Sequence, residues 1–226
     1  MDWKVFFENN INGYLLCDLA EMNKISVPGA GNCGYPMLMT MLSGMELLGG
    51  LAQVESKWSK SSSKSKEYFD YFYLNYFQQY ALEYGLFKDE LWFMIRHKLA
   101  HTFLTATHFK VAKNYYEKAI TIQSKNVIID VGVMLKDFQK SVLRLAEELE
   151  GDETLRSRFE KHLLEMVKAY TPDVKRSGST SNLSTSITTN ISATIHRNAI
   201  IASNATTAIP PDIQARMWRE AKDKQG

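Results

Sequence analysis

Residues 35–52 read YPMLMTMLSGMELLGGLA, the most apolar stretch of the chain. Its reading decides the fold. A membrane-spanning helix takes about 20 apolar residues. This run is marginal in length, carries Glu46 near its middle, and is interrupted by Gly44 and Gly49-Gly50. Pro36 stands where a helix tolerates proline, in the first turn, because the missing N–H is one that no helix partner would accept. The stretch is therefore a helix, Met37 to Leu51, buried in protein and not in lipid.

Working outward, the flanking segments also read as helices. Val5, Phe6, Ile11, Leu15, Leu16, Leu19 and Met22 recur at roughly helical spacing. A loop from Asn23 to Gly34 separates them from the central helix. Beyond it, Ser56 to Lys66 is a Ser/Lys-rich linker. A third helix, Glu67 to Tyr84, carries eight Tyr or Phe between positions 68 and 80, and a fourth runs from about Phe87 to Phe103. Apolar β-branched clusters at His108–Val111, Ala119–Gln123 and Val127–Val131, the last two separated by Ser124-Lys125-Asn126, predict a small β-hairpin. Val133–Glu150 and Thr154–Tyr170 are two further helices broken at Gly151-Asp152. The expected fold is mainly α, an antiparallel helical bundle with a small β-hairpin insertion.

Composition changes at Thr171-Pro172. Between Ser177 and Thr207 there are fourteen Ser/Thr and four Asn in 31 residues, with Arg197 the only charge. Such a segment buries too little apolar area to offset its ordering entropy. Residues 1–170 are thus expected to form the helical domain. Residues 171–226 are expected to be a disordered C-terminal tail with a short helix possible after Pro210-Pro211.

Charge excludes whole classes of function. The 226 residues hold 27 Lys/Arg and 25 Asp/Glu, for a net charge of +2, so no polybasic protein held on nucleic acid by electrostatics alone is at hand. Residues 86–125 are the one basic concentration in the folded body, with seven bases against three acids and three of the five histidines. Cys17 and Cys33 are too few for a disulfide scaffold and read as reduced, small buried apolar residues. Asp2 and the asparagines that follow leave no signal-peptide pattern, so a cytoplasmic location with no membrane association is expected.

Several motifs fail on their chemistry. Gly29-Ala30-Gly31-Asn32-Cys33-Gly34 spells a dinucleotide fingerprint, with Glu55 at the right distance. That motif needs a strand on each side of its helix, and residues 35–52 leave no room for the second. His97 and His101, four apart, suit a zinc pair with His108 as third ligand. A zinc peptidase needs Glu directly after the first His, and Lys98 stands there. No cofactor and no metal are therefore expected. The aromatic run at 68–80 has the chemistry to stack on bases, but its spacing covers so much of the helix that core packing is the expected use.

What remains is Arg96-His97-Lys98-Leu99-Ala100-His101. Arginine is a permanent, bidentate phosphate binder, and histidine exchanges protons near neutrality. On an ideal helix Arg96 and His101 lie about 140° apart. They converge only through the reach of the arginine, a helix end, or a second copy of the chain. A solvated polar stripe beside a buried face is the plainer reading of the same residues.

Arg96, four residues and His101 match the R-x(4–6)-H motif of the HEPN superfamily, with His97 at its polar position. The run from Leu91 to His101 resembles the LRN-x-L-x-H stretch of uncharacterised bacterial HEPN-like proteins. Pro36 to Leu51 and the segment Leu135-Lys136-Asp137-Phe138 resemble two of their other helices, so that the resemblance covers about residues 1–170. It implies an all-α homodimer in which two motifs share one groove and cleave RNA without a metal. Arg96 would bind the scissile phosphate, His101 would be the general base or acid, and His97 would orient the motif. Toxin–antitoxin and phage-defence roles, with an antitoxin or other protein partner, follow from the same resemblance. The alternative is a non-catalytic helical dimerisation or interaction module.

Overall fold

The computed structural model describes residues 2–26, 32–56, 58, 64–93 and 108–170. The chain divides into two units, Met1–Thr171 and Pro172–Gly226. The second unit, where the disordered tail was expected, lies outside the described residues, as does most of the expected linker.

Among the described residues, the first unit holds six helices and one three-stranded sheet. α1 (residues 3–24) is continuous, with α-helical turns at Trp3–Phe6 and Cys17–Lys24 and π-helical turns at Phe7–Leu16 between them. Asp2 caps it by accepting the Lys4 N–H at 2.7 Å. α2 (Gly34–Ala52) is the central helix and packs against α1 and three later helices, α3, α5 and α6. It starts at Gly34, two residues before Pro36, with Cys33 at its N-terminal boundary in the left-handed region (φ 59°). α3 (residues 65–80) passes from α-helix at Ser65–Phe72 through π-helix at Tyr73–Phe77 to a 3₁₀ turn at Gln78–Tyr80. α4 (Leu82–Glu90) continues as helix through residue 93. α5 (Val131–Gly151) and α6 (Glu153–Tyr170) close the domain, and Asp152 between them caps α6 by accepting from Thr154 N and Leu155 N.

The expected single helix from Glu67 to Tyr84 is interrupted. Ala81 is extended (φ −152°, ψ 138°), although neither Gly nor Pro marks the place. The break redirects Tyr84 into the core, where its ring centroid lies 4.2 Å from that of Phe77. The π turns before it bring Tyr73, Tyr76 and Phe77 inward together, and all three are buried beside Phe69 and Phe72. The aromatic run is thus core. The fourth helix starts at Leu82, earlier than its expected start at Phe87.

The expected hairpin is present as β2 (Ile120–Gln123) and β3 (Asn126–Asp130), antiparallel with Ile120 opposite Ile129. A third strand, β1 (Phe109–Ala112), pairs parallel with β3, giving the order β1-β3-β2. Phe109, Val111, Ile120 and Ile129 share one face and join the core, whereas Lys110 is exposed on the other.

The α2–α3 contact is set by glycine. A Cβ on Gly49 would fall 1.9 Å from the Tyr68 carbonyl oxygen, a backbone atom that cannot swing aside. Overpacking costs about 1–3 kcal/mol, and contact with backbone places Gly49→Ala near the upper end, at about 3 kcal/mol. Chemical denaturation of the variant checks this. A midpoint unchanged from wild type would mean that the two helices separate freely.

The C-terminal end of α2 is held by α6. Arg158 Nε donates to the Ala52 carbonyl at 3.0 Å, and His162 Nδ1 lies 3.1 Å from the Leu51 carbonyl. His162 is 4% exposed, and burial holds its pKa below the ordinary value despite that carbonyl. The unfolded chain therefore takes up a proton as pH falls through about 6.5, before the folded chain does. Stability should fall as pH drops below about 6.5, levelling once the folded imidazole titrates. Melting curves from pH 8 to pH 5 test this, and His162→Gln should flatten the dependence.

No helix among the described residues is long and apolar enough to cross a membrane.

Candidate functional site

Arg96, His97 and His101 all lie outside the described residues. The structure does describe what holds the chain on either side of them. On the entry side Leu91 is fully buried, and the Trp92 ring stacks on Phe69 with centroids 5.1 Å apart. On the exit side the His108 carbonyl accepts Val127 N–H at 2.8 Å, and Phe109 is buried. Both anchors belong to the core, one to the aromatic helix and one to the sheet. His108 itself is exposed. Among the described residues no three His, Cys, Asp or Glu stand close enough to hold a metal ion. Cys17 and Cys33 carry free thiols and are half-buried, not the fully buried apolar residues expected. Cys33 sits at the half-buried turn that opens α2.

The helix that leads to the motif is fixed to α5 by a buried polar seam. Tyr84 Oη donates to Asp137 Oδ2 at 3.0 Å, and Lys140 Nζ donates to the other oxygen at 3.1 Å. Asp137 is 8% exposed. Burial, followed by the Asp137 charge, drives the Tyr84 phenol far above its ordinary range, so it stays protonated and acts as a fixed donor. About three turns further along the same face of α5, Tyr76 Oη donates to Glu148 Oε2 at 2.9 Å while Arg144 Nε holds Glu148 Oε1 at 3.1 Å. Both phenols are driven above their ordinary range and stay protonated, so they act as fixed donors in the seam. A second tie is ionic: Lys88 Nζ on α4 lies 2.6 Å from Asp70 on α3, and Lys66 joins both Asp70 and Asp89.

Among the described residues Asp130, on which the sequence analysis is silent, is heavily bonded. Its carboxylate accepts five backbone N–H groups. Asn114, Tyr115 and Tyr116 donate from the loop after β1 at 2.9, 2.7 and 2.9 Å. Gly132 and Val133 donate from the first turn of α5 at 3.0 and 3.2 Å. Burial alone would raise its pKa, but the donors of Tyr116, Tyr115, Asn114 and Val133 together outweigh that and hold it below the usual carboxylate range. Asp130 is completely buried and remains ionised. Gly132 leaves the loop room, since a Cβ there would meet Asn114 Oδ1 at 1.8 Å. The available signal was an Asp standing between an apolar strand and a helical run, the pattern of an N-cap.

An apolar groove of about 320 Å³ between α1 and α2, lined by Ile11, Leu15, Met39 and Leu47 with Asn10 and Ser43, offers no acid–base pair. In comparison with known proteins, no protein-family model, no curated protein and no solved structure matches the chain.

Proposed function

We propose that the chain is a metal-independent endoribonuclease of HEPN type, acting in the cytoplasm as a homodimer on single-stranded RNA, in a toxin or phage-defence setting with an antitoxin or similar protein partner. The observation that carries this reading is the set Arg96, His97 and His101 within six residues of sequence. A mainly helical domain with rigid anchors on both sides of that set supports it. His101 takes the proton from the ribose 2′-hydroxyl, whose oxygen forms a bond to phosphorus as the bond to the 5′-oxygen breaks. The leaving oxygen regains a proton from His97 or from the partner copy's histidine. Arg96 balances the charge that grows on the phosphoryl oxygens. Deoxyribose lacks the attacking hydroxyl.

The purified chain should therefore cut single-stranded RNA in excess EDTA, leave DNA of matched sequence intact, and produce 2′,3′-cyclic phosphate ends. A chain inert on a broad RNA panel would overturn the reading.

One observation favours a non-catalytic interaction module. Leu82 and Leu86, one turn apart on α4, are 93% and 72% exposed, and an exposed apolar pair of this kind suits a partner helix. Sedimentation of Leu82→Lys/Leu86→Lys tests it. Loss of self-association in a chain that never cleaves RNA would favour the module.

A further inference from the structure

The loop joining β1 to β2 reads Lys113-Asn114-Tyr115-Tyr116-Glu117-Lys118, and its backbone is fixed to an unusual degree. Three consecutive N–H groups, Asn114 to Tyr116, end on the buried Asp130 carboxylate. Asn114 takes a left-handed conformation (φ 55°), and its Nδ2 donates to Asn23 Oδ1 at 3.0 Å. Lys113 Nζ donates to the Met22 and Ile25 carbonyls at the end of α1. The half-buried Tyr116 ring meets Tyr115 edge to face, with centroids 4.9 Å apart. On this anchored frame the Tyr115 side chain faces solvent, at 80% exposure.

A large ring this exposed contributes little to the fold beyond its edge contact with Tyr116. Holding it on an immobile backbone removes most of the ordering cost that a partner would otherwise meet. The surroundings favour a polyanion: residues 108–126 contain Lys110, Lys113, Lys118 and Lys125 against the single acid Glu117. Lys118 is paired with Glu83 at 3.0 Å, its own side chain 71% exposed and that of Glu83 30%. An ion pair at the surface contributes little, so the exposed lysine can meet another anion at modest cost.

We infer that Tyr115 is a stacking platform for an unpaired nucleobase of single-stranded RNA, with Lys118 meeting a neighbouring phosphate. The inference rests on the RNA reading above and adds a binding position outside the Arg96–His101 motif. Every nucleobase offers a flat π-face, so the site would tolerate any sequence and contribute affinity instead of cleavage specificity.

The test uses the full chain with His101→Ala, so that bound RNA survives, and measures binding of a labelled single-stranded decamer. Tyr115→Ala should weaken binding about tenfold or more, and Tyr115→Trp should retain it. Both should melt with the parent, since the ring is exposed. An abasic decamer should bind equally to the parent and to Tyr115→Ala, which separates stacking from any effect on backbone or charge. Unchanged affinity in Tyr115→Ala, or a Trp variant as weak as the Ala variant, overturns the platform while leaving the nuclease reading intact. Loss of self-association with RNA binding unaffected would assign Tyr115 to a protein contact and also overturns it. A parent that binds no RNA removes both proposals.

Discussion

His101→Ala should lower the rate of RNA cleavage by about 10²–10⁴-fold, the range that one general acid–base group typically supplies. Arg96→Ala should cost a similar amount, because a preorganised contact to developing charge is worth roughly 3–4 kcal/mol in the transition state. Neither loss should come from unfolding. Trp92 on Phe69 and His108 on Val127 hold the chain from outside the motif, so removal of the motif side chains leaves these anchors in place. Thermal melts of both variants should overlay wild type while initial rates collapse. Equal rates in wild type and His101→Ala would remove His101 from the reaction. A collapse of both melting and rate would make it a structural residue.

The largest stability effect is expected at Asp130. Hydrogen bonds to a charged acceptor contribute a net of about 1.5–3 kcal/mol each, and a helix cap is worth about 0.5–2 kcal/mol. Asp130→Ala abandons five donors, in the loop and in the first turn of α5. Water reaches some of them, so the expected loss is about 3–5 kcal/mol, with the melting temperature down by about 10 °C. Asp130→Asn keeps one acceptor oxygen and should lose less. The pH signature follows from the direction of the shift. The folded carboxyl titrates below its unfolded value of about 3.9, so its contribution is complete above about pH 4 and is lost as pH falls through the folded value. Acid unfolding of Asp130→Asn should lack that component. A melt of Asp130→Ala within a degree or two of wild type would show that water serves these donors as well as the carboxylate does.

Much of the frame was legible in the residues themselves. Long amphipathic runs announce α5 and α6, and Gly151-Asp152 marks their junction because Asp152 is a good N-cap. Residues 35–52 were readable as a buried helix from Glu46 and the glycines alone. Local pattern could not show the break at Ala81, because alanine favours helix and only the packing of Tyr84 against Phe77 and Asp137 makes the interruption worthwhile. It could not show the parallel pairing of β1 either, since its partner residues lie 18 positions further along and the register is settled by the core face. The Asp130 hub went unread for a related reason: three of its five donors come from a loop that no periodicity links to it. The motif residues Arg96, His97 and His101 were conspicuous as chemistry, but they lie outside the described residues.

β3 ends at Asp130 and α5 begins at Val131, with no linker between strand and helix. Strand and helix are thus one stiff beam hinged where the loop is bound. At about 1.5 Å per residue the 21 residues of α5 reach about 31 Å from that hinge. A tilt of about 5° at the sheet would therefore displace the far end by about 3 Å. The arm carries Asp137 and Glu148, the two carboxylates that grip α4 and α3, along its length. Mechanically, a ligand that pulls on the 113–118 loop works at the short end of a lever whose long end bears, through Glu148, on Tyr76 of α3.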